Sequence, residues 1–308
     1  MMIRSSFGIA EGDDPLRTVR EAAAAARRPA GDETPKAALV LVAGNGGVPG
    51  LGAIACESVG GVPVAGASVS GILTDGGRLT AGAAVVCFYG EALSPCVVCA
   101  GRPMGLSAAT ERVGRLILAG ASERRHFPRG VALAFAPPVT ESLMDGFLVR
   151  WRHLAGPKLR TVISAAAGRP LCGPGGADPG PLAVLCLEGV YKSGVGISTG
   201  AGPGEPTSDP AAFVHGASDA AATAVKRLEG QPVRAALIAE SAARHAALGG
   251  AVRDEWLAMR EQVGPEVPCV GWLTTAENAY GRGATVGDTG SVIVVALAEA
   301  PAAAAAAS

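Results

Sequence analysis

VPCVGWLTTAEN (267–278) repeats the form of an earlier stretch, VPVAGASVSGIL (62–73): Val-Pro-x-x-Gly followed by a run of small and hydroxyl residues. Each copy reads as a short buried strand that ends at a glycine, Gly66 or Gly271, and a third strand of this kind, RTVISAAAG, ends at Gly168. Working outward, each is preceded by another short apolar run, KAALVLVAG (36–44), RGVALAFAP (129–137) or VRAALIAES (233–241). Ahead of those runs lie helix-like stretches rich in Ala, Leu and Arg. DDPLRTVREAAAAARR offers Asp13 or Asp14 as N-cap with Pro15 in the first turn; SAATERVGRLILAG offers Ser107 and SDAAATAVKRLEG offers Ser218. A Gly-rich turn region and a further strand close each set: GAAVVCFYG, GPLAVLCLEG and GSVIVVALAE.

The order helix, strand, helix, strand, loop, strand thus occurs three times at a spacing of roughly a hundred residues, which decides the fold class before any motif is weighed. Strands alternating with amphipathic helices give an α/β fold with mixed sheets and covering helices, built from about three related strand-helix-strand-loop-strand units in two lobes. RPLCGPGGADPGP (169–181) reads as a long loop and AGPGEPTSDP (201–210) as a linker, dividing the chain into residues 1–200, residues 201–299 and a low-complexity tail, 300–308.

Composition narrows the function. The chain has 308 residues, 49% of them hydrophobic, and a formal charge of −1, which leaves no basic footprint for nucleic acid. Aromatics are 4%, too few for base-stacking platforms. The N-terminal stretch has no apolar signal region and no window approaches a membrane span, so a cytoplasmic protein is expected. Seven scattered cysteines fit reduced, buried thiols better than a disulfide framework.

The order of these signals resembles the FIST family of F-box and intracellular signal transduction domains. The resemblance rests on Gly66-Ala67-Ser68-Val69-Ser70-Gly71, on Ala239-Glu240-Ser241-Ala242-Ala243-Arg244, and on Gly271-Trp272-Leu273-Thr274-Thr275-Ala276-Glu277 before the last strand. It implies a non-enzymatic sensor that binds a small polar, amino-acid-like ligand and signals to a partner such as a kinase or cyclase. One branch of the family looks like haem-binding nitric oxide sensors, so haem is the alternative to a chain without a cofactor.

Strand ends followed by Gly-Ala-Ser or Gly-x-x-Thr leave N–H groups and hydroxyls beside an apolar wall, which suits a small ligand. Arg244 can fork onto a carboxylate and Glu277 can accept an ammonium; the plainer reading is that they pair with each other or with water. The expected lining of a cleft between the lobes is therefore Ser68, Ser70, Arg244, Trp272, Thr274 and Glu277, with Trp272 as the apolar wall. Ser68 and Ser70 also suggest a Ser-dependent hydrolase using the same pocket, with a base among His126, His153, His215 and His245, although the stretch is not the Gly-x-Ser-x-Gly elbow. CVVC (96–99) lies in an apolar run, where positions three apart on a strand face opposite ways and cannot chelate together. Gly50-x-Gly52-x-x-Ala55 starts too far past its strand for a dinucleotide fingerprint and reads as a helix start. His215 and His153 are the two candidate haem ligands.

Overall fold

The computed structural model describes residues 3–44, 48–91, 93–101, 104–123, 130–137, 159–165, 168–173, 180–199, 209–281, 284–287 and 290–300. The first unit runs β1 (Arg4–Glu11), α1 (Pro15–Arg27), β2 (Ala37–Ala43), α2 (Leu51–Ser58), β3 (Val64–Val69), β4 (Gly71–Thr74), β5 (Gly77–Leu79) and β6 (Gly82–Tyr89). The second runs β7 (Cys96–Cys99), α3 (Leu106–Glu123), β8 (Gly130–Ala136), β9 (Leu159–Ala165), β10 (Pro170–Gly173) and β11 (Ala183–Glu188). The third runs β12 (Tyr191–Ser198), α4 (Pro210–Lys226), β13 (Val233–Ser241), α5 (Ala242–Leu248), α6 (Val252–Val263), β14 (Cys269–Thr274), β15 (Ala276–Gly281), β16 (Ala284–Gly287) and β17 (Val292–Glu299).

Each unit makes the same mixed sheet. Its second and third strands run parallel (β2–β3, β8–β9, β13–β14), its last returns antiparallel beside the second (β6, β11, β17), and its first lies antiparallel on that (β1, β7, β12). The arm after the parallel pair leaves home. The arm β4–β5 of the first unit extends the third unit's sheet, β10 of the second extends the first's, and β15–β16 of the third extends the second's. This cyclic exchange ties the three sheets together.

Side-chain alternation then builds the core. Leu39 and Leu41 on β2, Leu133 and Phe135 on β8, and Leu237 and Ala239 on β13 point to one shared centre. Their neighbours Val40 and Val42, Ala132 and Ala134, and Ala236 and Ile238 point outward beneath helices. Strands buried on both faces carry near-continuous apolar sequence, which is why these runs stand out.

The abundance of Ala and Gly follows from how closely the helices lie on the sheets. A Cβ at Gly8 of β1 would sit 2.1 Å from the Ala22 carbonyl oxygen of α1, and one at Gly196 of β12 would sit 1.7 Å from that of Ala220 on α4. Only glycine facing an alanine stripe permits that approach. The repeated glycines of the two Val-Pro-x-x-Gly stretches also stand where a side chain has no room: a Cβ on Gly66 would strike the Val40 carbonyl oxygen of the neighbouring strand β2 at 1.7 Å, and one on Gly271 would crowd Leu73 and Trp256 at 3.0 and 3.2 Å.

Local signals mostly hold. Asp14 caps α1, its carboxylate accepting from the Leu16 and Arg17 amides ahead of Pro15. Ser107 lies inside α3 and does not precede it, and Ser218 lies mid-helix, because Asp209 and Pro210 open α4 two turns earlier. The start of the 169–181 stretch is strand β10, not loop, stabilised by pairing with β3. Residues 201–208 of the expected linker lie outside the described residues. Among the described residues no helix is long and apolar enough to cross a membrane.

Candidate functional site

The arm β4–β5 and helix α6 enclose a cavity of about 240 Å³ at the outer end of the third sheet. Leu73, Val252, Trp256, Leu257 and Met259 give it apolar walls, Asp75, Arg78 and Arg253 its polar edge, and Glu240 and Glu255 its carboxyl floor. The fold places each acid for a readable reason. Ala236 and Ile238 face the helices, and two residues further on the same face brings Glu240 to the end of β13. Ser241 then caps α5, its Oγ accepting from the Ala243 and Arg244 amides and turning the chain out of the strand. On α6 the apolar stripe Trp256, Met259 and Val263 is buried, and Glu255 is buried with it.

The two carboxyls are linked by a side-chain hydrogen bond, and both are almost wholly buried, at 2% exposure for Glu240 and 1% for Glu255. Burial, with the neighbouring Glu240 charge added, pushes Glu255 up to about 8 against the opposing pull of Arg244. Glu255 therefore keeps its proton at neutral pH and offers it to Glu240. Arg244 Nε donates to Glu255 Oε1 at 2.7 Å, and His245 Nδ1 lies 3.1 Å from Glu240 Oε1. The result is a buried row of polar side chains, Arg244, Glu255, Glu240, His245. At the cavity's edge the Asp75 carboxylate accepts from Trp256 Nε1 at 2.9 Å and from Arg260 Nη2 at 3.4 Å, and it pairs with the Arg260 guanidinium at 3.0 Å, which pins the β4–β5 turn to α6.

The residues expected to line one cleft are dispersed. Ser68 lies on the helix-covered side of β3, since Ala65, Ala67 and Val69 fill the inner side; its Oγ is buried without a hydrogen-bond partner. Trp272 is in the shared centre, donating from Nε1 to Ser164 Oγ at 3.0 Å, its ring 6.1 Å from that of Phe135. Thr274 is fully buried at the end of the same strand. Arg244 is on the outer side of the third sheet and does not line the cavity; beyond Glu255 it donates to the Gly290 and Phe213 carbonyl oxygens and lies 4.7 Å from the centre of the Phe213 ring. The Glu277 backbone pairs opposite Ser164 on β15, and its side chain lies outside the described residues. Where the two Val-Pro-x-x-Gly stretches meet there is hydrogen bonding and not a cleft: the Ser70 amide donates to the Leu273 carbonyl at 3.2 Å and Gly71 to Leu73 pair with β14.

Sequence reasoning missed Glu255, Asp75 and the pairing of Glu240. The available signal was a charged residue on the apolar face of an amphipathic helix, Glu255 beside Trp256. The Gly50/Gly52 stretch opens α2 as expected, with Gly52 needed because the Cys172 carbonyl oxygen would lie 2.3 Å from a Cβ. His215 is exposed on α4 beside Asp219, while His126 and His153 lie outside the described residues. Among the described residues no group of three or more His, Cys, Asp or Glu is placed to hold a metal ion.

No family model and no curated protein matches the chain. Solved structures similar to it include two cyanuric acid hydrolases. One, described as an evolutionary innovation by structural concatenation, has a TM-score of 0.46 and 11% identity over 97% of this chain and 100% of that one. The other, from A. caulinodans, has a TM-score of 0.47 and 12% identity over 97% and 99%. A third is phosphoribosylformylglycinamidine synthase II from Thermotoga maritima, with a TM-score of 0.31 and 9% identity over 97% of this chain and 72% of that one. The signalling-sensor reading and the expectation of a non-enzymatic chain are corrected here: the two structures that cover 97% of this chain are named as hydrolases, and neither is named as a signalling domain. At such low identity they assign no residue a role here.

Proposed function

We propose that this chain is a hydrolase that acts on a small polar molecule in the β4–β5/α6 cavity, with Glu240 and Glu255 as its proton-transfer pair. The observation that supports this is the proton that Glu255 keeps on the cavity floor, because a carboxyl group held near 8 is an acid that still carries its proton at neutral pH. The charged member of the pair takes a proton from an attacking water, and the protonated member supplies one to the leaving nitrogen or oxygen. His245 orients Glu240, and Arg244 keeps the pair singly charged. A volume of about 240 Å³ is below the roughly 300 Å³ at which drug-sized ligands begin to fit, so the substrate is small.

A second reading has one observation in its favour: the Ser68 Oγ is buried and unpartnered, as a nucleophile awaiting substrate would be. A panel of small amides, imides and esters, followed by mass spectrometry in ¹⁸O-water, separates the two. Turnover that falls about 10²- to 10⁴-fold in both Glu255→Gln and Glu240→Gln but survives Ser68→Ala supports the carboxyl pair. Turnover lost only with Ser68→Ala supports the serine.

A further inference from the structure

Beyond the cavity, the thiols form a second chemical group. Cys96 and Cys99 sit on the same short strand β7, yet Cys96 packs with Val98 on the side covered by α3 while Val97 reaches the shared centre, so Cys99 turns away from Cys96. The neighbour Cys99 finds is Cys172: β7 packs against β10, and because Leu171 points to the helix-covered side of β10, Cys172 turns to the same inner side as Cys99, where the two thiols interact. β7 is the edge strand of the second sheet and β10, which carries Cys172, is the edge strand of the first. Both residues are half-buried, and neither is in a disulfide. The cyclic exchange of arms, not proximity in sequence, brings them together.

We propose that Cys99 and Cys172 are a peroxide-reactive thiol pair that closes to a disulfide joining the edges of the first and second sheets. The Cys99 thiolate attacks one oxygen of hydrogen peroxide; the O–O bond breaks, the departing hydroxide takes a proton to leave as water, and Cys99 becomes a sulfenic acid. The Cys172 thiol, losing its proton, attacks that sulfur, forms the S–S bond and releases the second water. Two thiols give up two electrons and one peroxide accepts them.

The local chemistry assigns the roles. The hydrogen bond from Cys172, aided by the Arg112 charge and opposed by burial, lowers Cys99 to about 7, so a large share is thiolate at neutral pH. The same bond and burial push the Cys172 thiol up, so it stays protonated until Cys99 has been oxidised. Burial pushes Cys87 up to about 11 and Cys269 up to about 12, which makes them unreactive references in the same molecule.

The test uses the wild-type chain treated with hydrogen peroxide, alkylated, digested without reductant and mapped by mass spectrometry. The expected product is one cross-linked peptide pair, Cys99 to Cys172, two hydrogens lighter than the reduced peptides and restored by a reductant. Before oxidation, Cys99 is expected to alkylate about tenfold or more faster than Cys87 at pH 7, with a midpoint near 7. Cys96→Ser should leave the link intact, and Cys172→Ser should leave a Cys99 sulfenic acid that a dione reagent traps. A Cys96–Cys99 link, over-oxidation of Cys99 with Cys172 still free, or alkylation of Cys99 no faster than Cys87 would each overturn the pair.

Discussion

Glu240 and Glu255 meet side chain to side chain although one ends a strand and the other lies on the apolar face of a helix. Their contact depends on three local features: the outward register of β13, the Ser241 cap that turns the chain, and Gly271, which leaves room for Trp256 on the sheet. Arg244 offsets one negative charge, and a proton offsets the other.

Stability should therefore depend on pH in a direction opposite to that of an ordinary salt-bridged acid. Because the folded-state pKa of Glu255 is raised from 4.5 to about 8, the folded chain holds a proton that the unfolded chain releases. Its contribution is fully present below about pH 4.5, declines as pH rises and is lost above about 8. Urea denaturation midpoints from pH 5 to 9 should fall with rising pH in the wild type, and that slope should flatten in Glu255→Gln.

Arg244→Ala should cost about 3–5 kcal/mol, because it leaves a buried carboxyl pair and two carbonyl oxygens without their donor. Lysine should not rescue it, since one ammonium cannot replace a planar fork that reaches three acceptors. Thermal unfolding of the two variants checks both statements, with similarly large drops in Tm expected.

How much of this was legible in the sequence varies with distance along the chain. Continuous runs such as AALVLVA and GVALAFA announce strands buried on both faces, and the threefold order of signals follows from them. The leading strands β1 and β12 are less visible because glycines replace side chains where the helices press close, and β10 hides within a Gly/Pro-rich stretch that only its pairing to β3 makes a strand. The site was less legible still. Arg244 reads as a free fork but is consumed by Glu255 and two carbonyls, and the Cys99 partner lies across an exchanged arm where no local spacing points.

Gly196→Ala tests the packing account. The added methyl would lie within 1.7 Å of a helix carbonyl oxygen, so α4 must lift from β12. Overpacking of this kind costs about 1–3 kcal/mol, occasionally more, whereas Gly31→Ala meets nothing within 4 Å and is strained only by its positive φ of 59°. Calorimetry should show the larger loss at Gly196.

The Glu255 proton can be observed directly. In protein labelled with ¹³C at the glutamate carboxyl carbons, the Cδ shift of Glu255, assigned through Glu255→Gln, should move on titration near pH 8. The account predicts that Glu255 remains protonated at pH 7 and loses its proton near pH 8. A Glu255 carboxylate fully ionised at pH 7, with no further change up to pH 9, would contradict it.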